Sequence, residues 1–271
     1  MITVVDINNF WSPSGGGVRR YHLQKMAFYE KQREARSVFV MPDSKTFTEE
    51  RSEGLVIEHV QAFKFPGNWE YRFIWKLSQV EPVLAKYKPD IIEVGSPYIL
   101  PTVVRRAARH ASPESKLVGF WHADFPVTYV GRPVAKKLGV GAGTFARKEA
   151  FWYARKEFKG FDCIQASSKE AMARLRKNGL PDPRWIPLGC DINMFSPSKR
   201  DEALVNELKA GNPERLTMFF PHRHCKEKGI DLLLVFHQFL SGRRIDGIAD
   251  FFSAGGSGGY VKGCTLAGLS D

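Results

Sequence analysis

No apolar run in the chain approaches the ~20 residues a membrane-spanning helix needs. The longest are short pieces such as Ile2–Val5 and Leu232–Phe236, so no segment is expected to span a bilayer. Cysteine is scarce and unpatterned. Cys163, Cys190, Cys225 and Cys264 form no C-x-x-C pair, which argues against a zinc or dithiol redox site and for free thiols in a reducing compartment. Met1–Asp6 reaches a carboxylate before any long apolar stretch and lacks the basic-then-apolar order of a secretory signal. A cytoplasmic protein is the expectation. Also missing are the G-x-G-x-x-G fingerprint and a loop ending in Gly-Lys-Ser/Thr, which weighs against dehydrogenase and nucleotide-hydrolase chemistry. No zinc finger or RNP-like aromatic pair is present, so a nucleic-acid partner is not expected.

What is there is an ordinary globular composition. Hydrophobic residues make up 43% and charged residues 25% of the 271, which excludes disorder throughout and collagen-like structure. The length allows one large domain or two ordinary ones. Lys and Arg number 40 against 29 Asp and Glu, a net charge of +11. Such a surplus attracts anions in general: nucleic acid, anionic lipid and phosphorylated small molecules alike.

Short β-branched runs alternate with longer amphipathic ones, the mark of βαβ units and a parallel sheet. Strands are expected at 2–7, 36–41 (ended by Pro42), 55–60, 90–94, 117–121 and 161–166. Helices are expected at 18–33, 69–87, 99–110, 145–158 and 169–178. The 69–87 helix rests on Phe73, Leu77, Val80 and Leu84 at helical spacing. The count favours a doubly wound α/β domain over residues 1–186. Residues 187–213 break into Pro-Leu-Gly and Ser-Pro-Ser and read as a connector with one short helix. A strand at 216–220, a loop and a helix at 230–240 then restart the alternation. Residues 214–271 are too few for a second doubly wound core, and Ala254–Gly259 has the composition of a flexible coil.

Three loops could carry chemistry. Gly15-Gly16-Gly17 lies between an expected strand and an expected helix, where glycine amides and a helix dipole suit a phosphate; a loop that merely needs positive φ explains the triplet as well. His122 and Asp124 follow the 117–121 strand, where open parallel sheets place ligand-binding residues; a histidine there is more often structural. Arg223 and Lys228 lie in the loop before the 230–240 helix and could hold a diphosphate, or form a solvated charged turn. His222, His224 and Cys225 match no common zinc pattern. Residues 132–159 carry eight Lys or Arg against two Glu, interleaved with Phe145, Phe151, Trp152, Tyr153 and Phe158. That stretch suits an anionic lipid surface or a phosphorylated acceptor, and equally a charged helix face over an aromatic core stripe.

Taken together these pieces resemble, in order, the retaining glycosyltransferases of family four. The matching segments are Gly16-Gly17-Val18-x-Arg20-Tyr21, His122-x-Asp124-Phe125-Pro126, Ser167/Ser168-Lys169-Glu170-Ala171-Met172, Gly189-x-Asp191-x-x-x-Phe195 and Arg223-x-x-x-x-Lys228-Gly229. The His-x-Asp-Phe-Pro segment is similar to that of the mannosyltransferase-like branch. The resemblance implies a GT-B fold: a doubly wound Rossmann-like acceptor-side domain followed by an incomplete second Rossmann-like domain for the nucleotide sugar. It implies transfer of a hexose, mannose among the candidates, from GDP-mannose or a UDP-sugar to a glycan, lipid or small-molecule acceptor, with the anomeric configuration kept and with neither metal nor cofactor. By the family's scheme Gly16 and Gly17 offer amides to the donor diphosphate or acceptor, and His122 contacts the donor sugar. Arg223 and Lys228 stabilise the leaving diphosphate. Arg19, Arg20, Tyr21 and Asp124 are the acceptor-side candidates. Two departures stand out: His222 replaces the family's usual Gly, and no Glu-x7-Glu segment follows Lys228. The expectation is a truncated, poorly active chain, cytoplasmic or peripheral on the inner membrane face. The alternative is a non-catalytic domain that binds an anionic acceptor or membrane surface.

Overall fold

In the computed structural model, residues 1–11, 16–65, 68–209, 212–214, 229, 232, 235–236, 251–254 and 260–264 are described. They divide into two compact units, Met1–Leu188 and Gly189–Asp271.

The first unit runs β1 (Ile2–Ile7), α1 (Gly17–Tyr29), β2 (Ala35–Asp43), β3 (Phe47–Ser52), β4 (Leu55–Gln61), β5 (Phe63–Phe65), β6 (Asn68–Phe73), α2 (Leu77–Tyr87), β7 (Ile91–Val94), α3 (Leu100–Ala111), β8 (Lys116–Trp121), a π-turn (Pro126–Gly131), α4 (Arg132–Glu157), β9 (Cys163–Ala166), α5 (Lys169–Lys177) and β10 (Pro183–Trp185). Eight strands form one sheet in the order β10-β9-β8-β7-β1-β2-β4-β3. All neighbours are parallel except β3, which runs antiparallel to β4 at the edge. The chain moves outward from β1 to β2 and β4, then returns to β7 and continues the other way, so the strand order reverses between β1 and β7. Right-handed crossovers put the helices of the two halves on opposite faces.

That division explains the residue pattern along the strands. Val5, Ile7, Ile92, Val94, Trp121 and Ile164 join the main core with Val80, Leu84, Val104, Ala107, Phe151 and Ala154 from α2, α3 and α4. Each fully buried aliphatic side chain of this kind contributes about 1.5–3 kcal/mol. The alternate positions Asp6, Glu93, Phe120 and Gln165 point to the other face and are also buried; there α1 covers them. Gly119 is small because a Cβ would come within 2.7 Å of the buried Phe158 ring.

The 36–41 strand runs further than expected, through Pro42 to Asp43. β1 stops at the level of Val40, and beyond it β2 pairs with β4 alone, which tolerates a residue without an N–H. The 69–87 helix is corrected: Asn68–Phe73 is a strand paired with β5, and the helix begins at Leu77. Phe73 belongs to the hairpin, and its helical spacing from Leu77 is incidental. The first helix ends at Tyr29 rather than near residue 33. The 145–158 helix is the second half of a longer one that starts at Arg132 and kinks at Gly139, where φ is 88°. β3 was not anticipated, because its mostly exposed, polar sequence lacks any apolar alternation.

In the second unit a 3₁₀ turn (Pro197–Lys199) precedes α6 (Glu202–Leu208), capped by the Asp201 carboxylate on the Ala203 and Leu204 amides. β11 (Phe251–Ala254) and β12 (Tyr260–Cys264) pair antiparallel, so Ala254 belongs to a strand and not to the expected coil. The expected strand at 216–220 and residues 255–259 lie outside the described residues, and of the 230–240 helix only Leu232, Val235 and Phe236 are described, as helical.

Candidate functional site

The strand order reverses between β1 and β7, and in open parallel sheets the crevice beyond the carboxyl ends at such a point is where ligands bind. Three segments follow those strands there: residues 8–11 after β1, 95–99 after β7 and 122–125 after β8.

The first segment is held by its own asparagines, both fully buried. Asn8 Nδ2 lies 2.6 Å from His22 Nε2, and its Oδ1 accepts the Phe10 amide at 2.8 Å. Asn9 exchanges two hydrogen bonds with the Ile74 backbone, at 3.1 and 2.9 Å. Gly95 closes against Asn8, where a Cβ would come within 2.4 Å of Nδ2. Phe10 is thereby presented to Tyr71, Phe73, Tyr98 and His122, with ring centroids 5.4–6.0 Å away in edge-to-face geometry.

Gly16 is the N-cap of α1, and no side chain caps that end and no acidic residue sits in its first turn. A Cβ at Gly16 or Gly17 would meet nothing within 4 Å. Among the described residues nothing covers this helix end, and free first-turn amides are the arrangement that receives an anion. Beneath it lies a buried charge cluster. Lys25 Nζ is 2.7 Å from both Asp6 Oδ2 and Glu93 Oε2, and His22 Nδ1 is 3.2 Å from Asp6. Burial works against ionised Asp6, but Lys25 and His22 together hold its carboxyl well below the usual range. Burial dominates at Glu93 and raises it. Lys25 is raised: burial opposes its charge, and Asp6 and Glu93 outweigh that. Tyr21 stacks 4.5 Å from Phe120 and reaches Glu93 with its hydroxyl at 3.4 Å, and burial raises its phenol. The cluster fixes α1 on the sheet and so fixes the direction of its amino end.

His122 sits between Phe10 and Phe120, at 5.4 and 5.5 Å. Burial, then the neighbouring His22, pushes its pKa down to about 4, so the imidazole is neutral at physiological pH. Its buried Nδ1 has no hydrogen-bond partner among the described residues. A neutral ring with an unsatisfied nitrogen is suited to a polar uncharged group such as a sugar hydroxyl. Asp124 is tied to Arg174 of α5 by an ion pair, and its backbone carbonyl accepts the Val127 and Thr128 amides; its buried Oδ1 has no partner. Arg19 is half-buried with its Nε unpartnered, and Arg20 is exposed.

Of the residues singled out in the sequence, Gly16, Gly17, Arg19, Arg20 and Tyr21 thus lie on the first turns of α1, and His122 and Asp124 on the segment after β8, all in the first unit. Arg223 and Lys228 lie outside the described residues. Asp6, Asn8, Asn9, His22, Lys25 and Glu93 were not singled out. The available signal was a carboxylate inside each of two otherwise apolar strands, Ile2–Ile7 and Ile91–Val94. Among the described residues no three His, Cys, Asp or Glu side chains gather as a metal site.

The large, mostly parallel sheet with its strand reversal is a doubly wound α/β fold of the kind found in GT-B proteins. The chain belongs to Glycosyltransferase Family 4, whose sequence profile matches residues 15–194. No curated protein sequence matches it. Among solved structures it is similar to a sucrose-phosphate synthase from Thermosynechococcus elongatus, with 14% identity and a TM-score of 0.62 over 94% of this chain and 62% of that one. An alpha,alpha-trehalose 6-phosphate synthase from Burkholderia multivorans aligns at 14% identity and TM-score 0.55, over 93% of this chain and 64% of that one. An E. coli trehalose-6-phosphate protein bound with UDP-2-fluoro glucose aligns at 11% identity and TM-score 0.55, with 93% and 64% covered. This chain therefore spans less than two thirds of the length of each of these relatives.

Proposed function

We propose that the chain is the acceptor-side part of a retaining glycosyltransferase that moves a hexose, with mannose favoured by the His-x-Asp-Phe-Pro segment, from a nucleotide diphosphate sugar to an acceptor. The observation that carries this reading is His122, neutral, with its Nδ1 unsatisfied among the described residues, on the segment that follows β8. In this scheme the amides at Gly16 and Gly17 receive diphosphate or acceptor charge, and His122 hydrogen-bonds a donor-sugar hydroxyl. Arg19, Arg20, Tyr21 and Asp124 face the acceptor, while Arg223 and Lys228 neutralise the departing diphosphate, where two cations can supply much of the catalysis. Residues 1–186 would form the acceptor domain, 187–213 the connector and 214–271 part of the donor domain.

Calorimetry with GDP-mannose and UDP-glucose tests the reading. His122→Ala is expected to weaken the nucleotide sugars about tenfold, roughly the loss of one hydrogen bond to a buried group, and to leave free GDP and UDP unchanged. Equal weakening of sugar-bearing and free nucleotides would remove His122 from the donor sugar.

A second reading, an anionic membrane-surface or acceptor-binding domain without catalysis, is favoured by α4. There Lys136, Lys137, Arg147 and Lys148 are exposed beside Leu138 at 74%, Val140 at 80% and Phe145 at 66% exposure. Apolar side chains flanked by cations suit an anionic lipid interface. Among the described residues no helix is long and apolar enough to cross a membrane. Salt-sensitive binding to phosphatidylserine-containing vesicles, lost when the four cations are neutralised, is the expected result; binding unchanged by neutralisation would remove this reading.

A further inference from the structure

Away from the switch point, a cavity of about 670 Å³ opens where β2 and β4 end, lined by Ser44, Gln61, Phe63, Arg72, Trp75, Lys76 and their neighbours. We propose that it binds an anionic saccharide, a sugar ring carrying a phosphate or carboxylate. Its assignment to the remote part of the acceptor rests on the transfer reading above, whereas the binding itself does not.

The walls set the chemistry. Phe63 and Trp75 are each 47% exposed and meet edge to face, centroids 5.7 Å apart with planes at 77°. Two rings at that angle form a corner. A flat base needs a parallel slot, whereas the C–H face of a puckered pyranose can lie against one ring while its edge meets the other. The described lining residues that carry charge, Arg72 and Lys76, are both cations. Lys76 Nζ lies 5.2 Å over the Trp75 ring, and Arg72 uses Nη1 on the Ala62 carbonyl at 2.8 Å, leaving further guanidinium donors. Among the described lining residues there is no Asp or Glu. Aromatic corner, two cations and the flanking Ser44, Gln61 and Ser78 together match a hydroxylated ring with one anionic group.

The corner is also preorganised. Gln79 Oε1 accepts the Trp75 and Lys76 amides at 3.0 and 2.9 Å, and its Nε2 donates to the Gln61 carbonyl at 2.7 Å. Residue 74, next to Trp75, is held by buried Asn9. The same loop carries Phe10, which meets Phe73 at 6.0 Å and His122 at 5.4 Å, and Phe73 stands opposite Phe63 in the β5–β6 hairpin. A run of aromatic side chains thus connects the cavity to the crevice, and an acceptor lying along it would reach His122 with its remote sugar in the corner.

Calorimetric titration of the 271-residue chain, without donor, decides the proposal. The probes are glucose 6-phosphate, glucuronic acid, glucose, inorganic phosphate and UMP. The two anionic sugars are expected to bind at least tenfold more tightly than glucose or phosphate. Trp75→Ala should weaken them about tenfold, and Arg72→Gln with Lys76→Gln should erase the preference for the anionic sugars over glucose. Far-UV circular dichroism checks that the variants stay folded, and glucose binding retained by the double variant is a second check. Nucleotide sugars that fail to bind the chain while the anionic sugars still bind count against the transfer reading alone, and anionic sugars that fail to bind while nucleotide sugars still bind count against the cavity alone. Phosphate binding as tightly as the sugar phosphate, UMP binding more tightly than either sugar, or indifference to all three substitutions would overturn the proposal.

Discussion

Lys25→Met is the most revealing single change in the first unit. Lys25 is the shared counter-charge of two carboxylates, with Nζ 2.7 Å from each, and the Asp6 and Glu93 side chains are only 1% and 10% exposed. Without it two like charges would remain beside each other out of water. Removing one partner from such a buried arrangement costs about 3–5 kcal/mol, and the loss is bounded because Glu93, already raised by burial, can take up a proton. For a unit of this size that corresponds to a fall in Tm of roughly 10 °C. The pH dependence has a definite sign. Asp6, lowered from its ordinary 3.8, contributes stability that is full above that value and is lost as pH falls below it. The difference between wild type and variant should therefore be largest near neutrality and shrink once pH drops below about 4, as the unfolded chain and the variant's carboxylates take up protons while folded wild-type Asp6 stays ionised. Urea unfolding followed by circular dichroism at pH 7 and pH 3.5 measures it. Adding Glu93→Gln to Lys25→Met should recover part of the loss. A cost below about 1 kcal/mol at pH 7, or a difference that grows in acid, would refute the buried-cluster reasoning.

His122, held at about 4 against the ordinary 6.5, supplies stability that is complete above pH 6.5 and lost as pH falls from there through 4; the gap corresponds to roughly 3 kcal/mol. His122→Gln should flatten the stability profile in that window, read by urea unfolding at pH 7 and pH 4.5. Gly95→Ala drives a methyl to within 2.4 Å of Asn8 Nδ2 and is expected to cost about 1–3 kcal/mol, with weaker nucleotide-sugar binding because Asn8 positions both Phe10 and His22. Asp124→Asn should cost less than about 1 kcal/mol in unfolding experiments, because its partner Arg174 is 41% exposed and solvent screens the pair.

The central strands were legible because β1, β7 and β8 are buried on both faces and read as near-continuous apolar runs. β3 was not, since an edge strand with Thr48, Glu49, Glu50 and Arg51 looks like a loop. β6 was hidden by an accidental helical spacing between Phe73 and Leu77. The same split runs through the site. Gly16, Gly17, His122 and Asp124 could be placed from order alone, because each follows a strand that the sequence makes plain. The Asp6–His22–Lys25–Glu93 cluster could not, because its members lie up to 87 residues apart and meet only through the β2-β1-β7 strand order. The Asn9 clasp on Ile74 likewise joins residues 65 apart with no local pattern.

Hydrogen–deuterium exchange of the chain with and without saturating GDP-mannose or UDP-glucose tests most directly whether a nucleotide sugar lodges at the carboxyl ends of β1, β7 and β8. Slowed exchange at the first-turn amides of α1 and at residues 120–125, with the amino ends of the same strands unaffected, is the predicted result. Protection confined to other segments, or none at saturation, would contradict it.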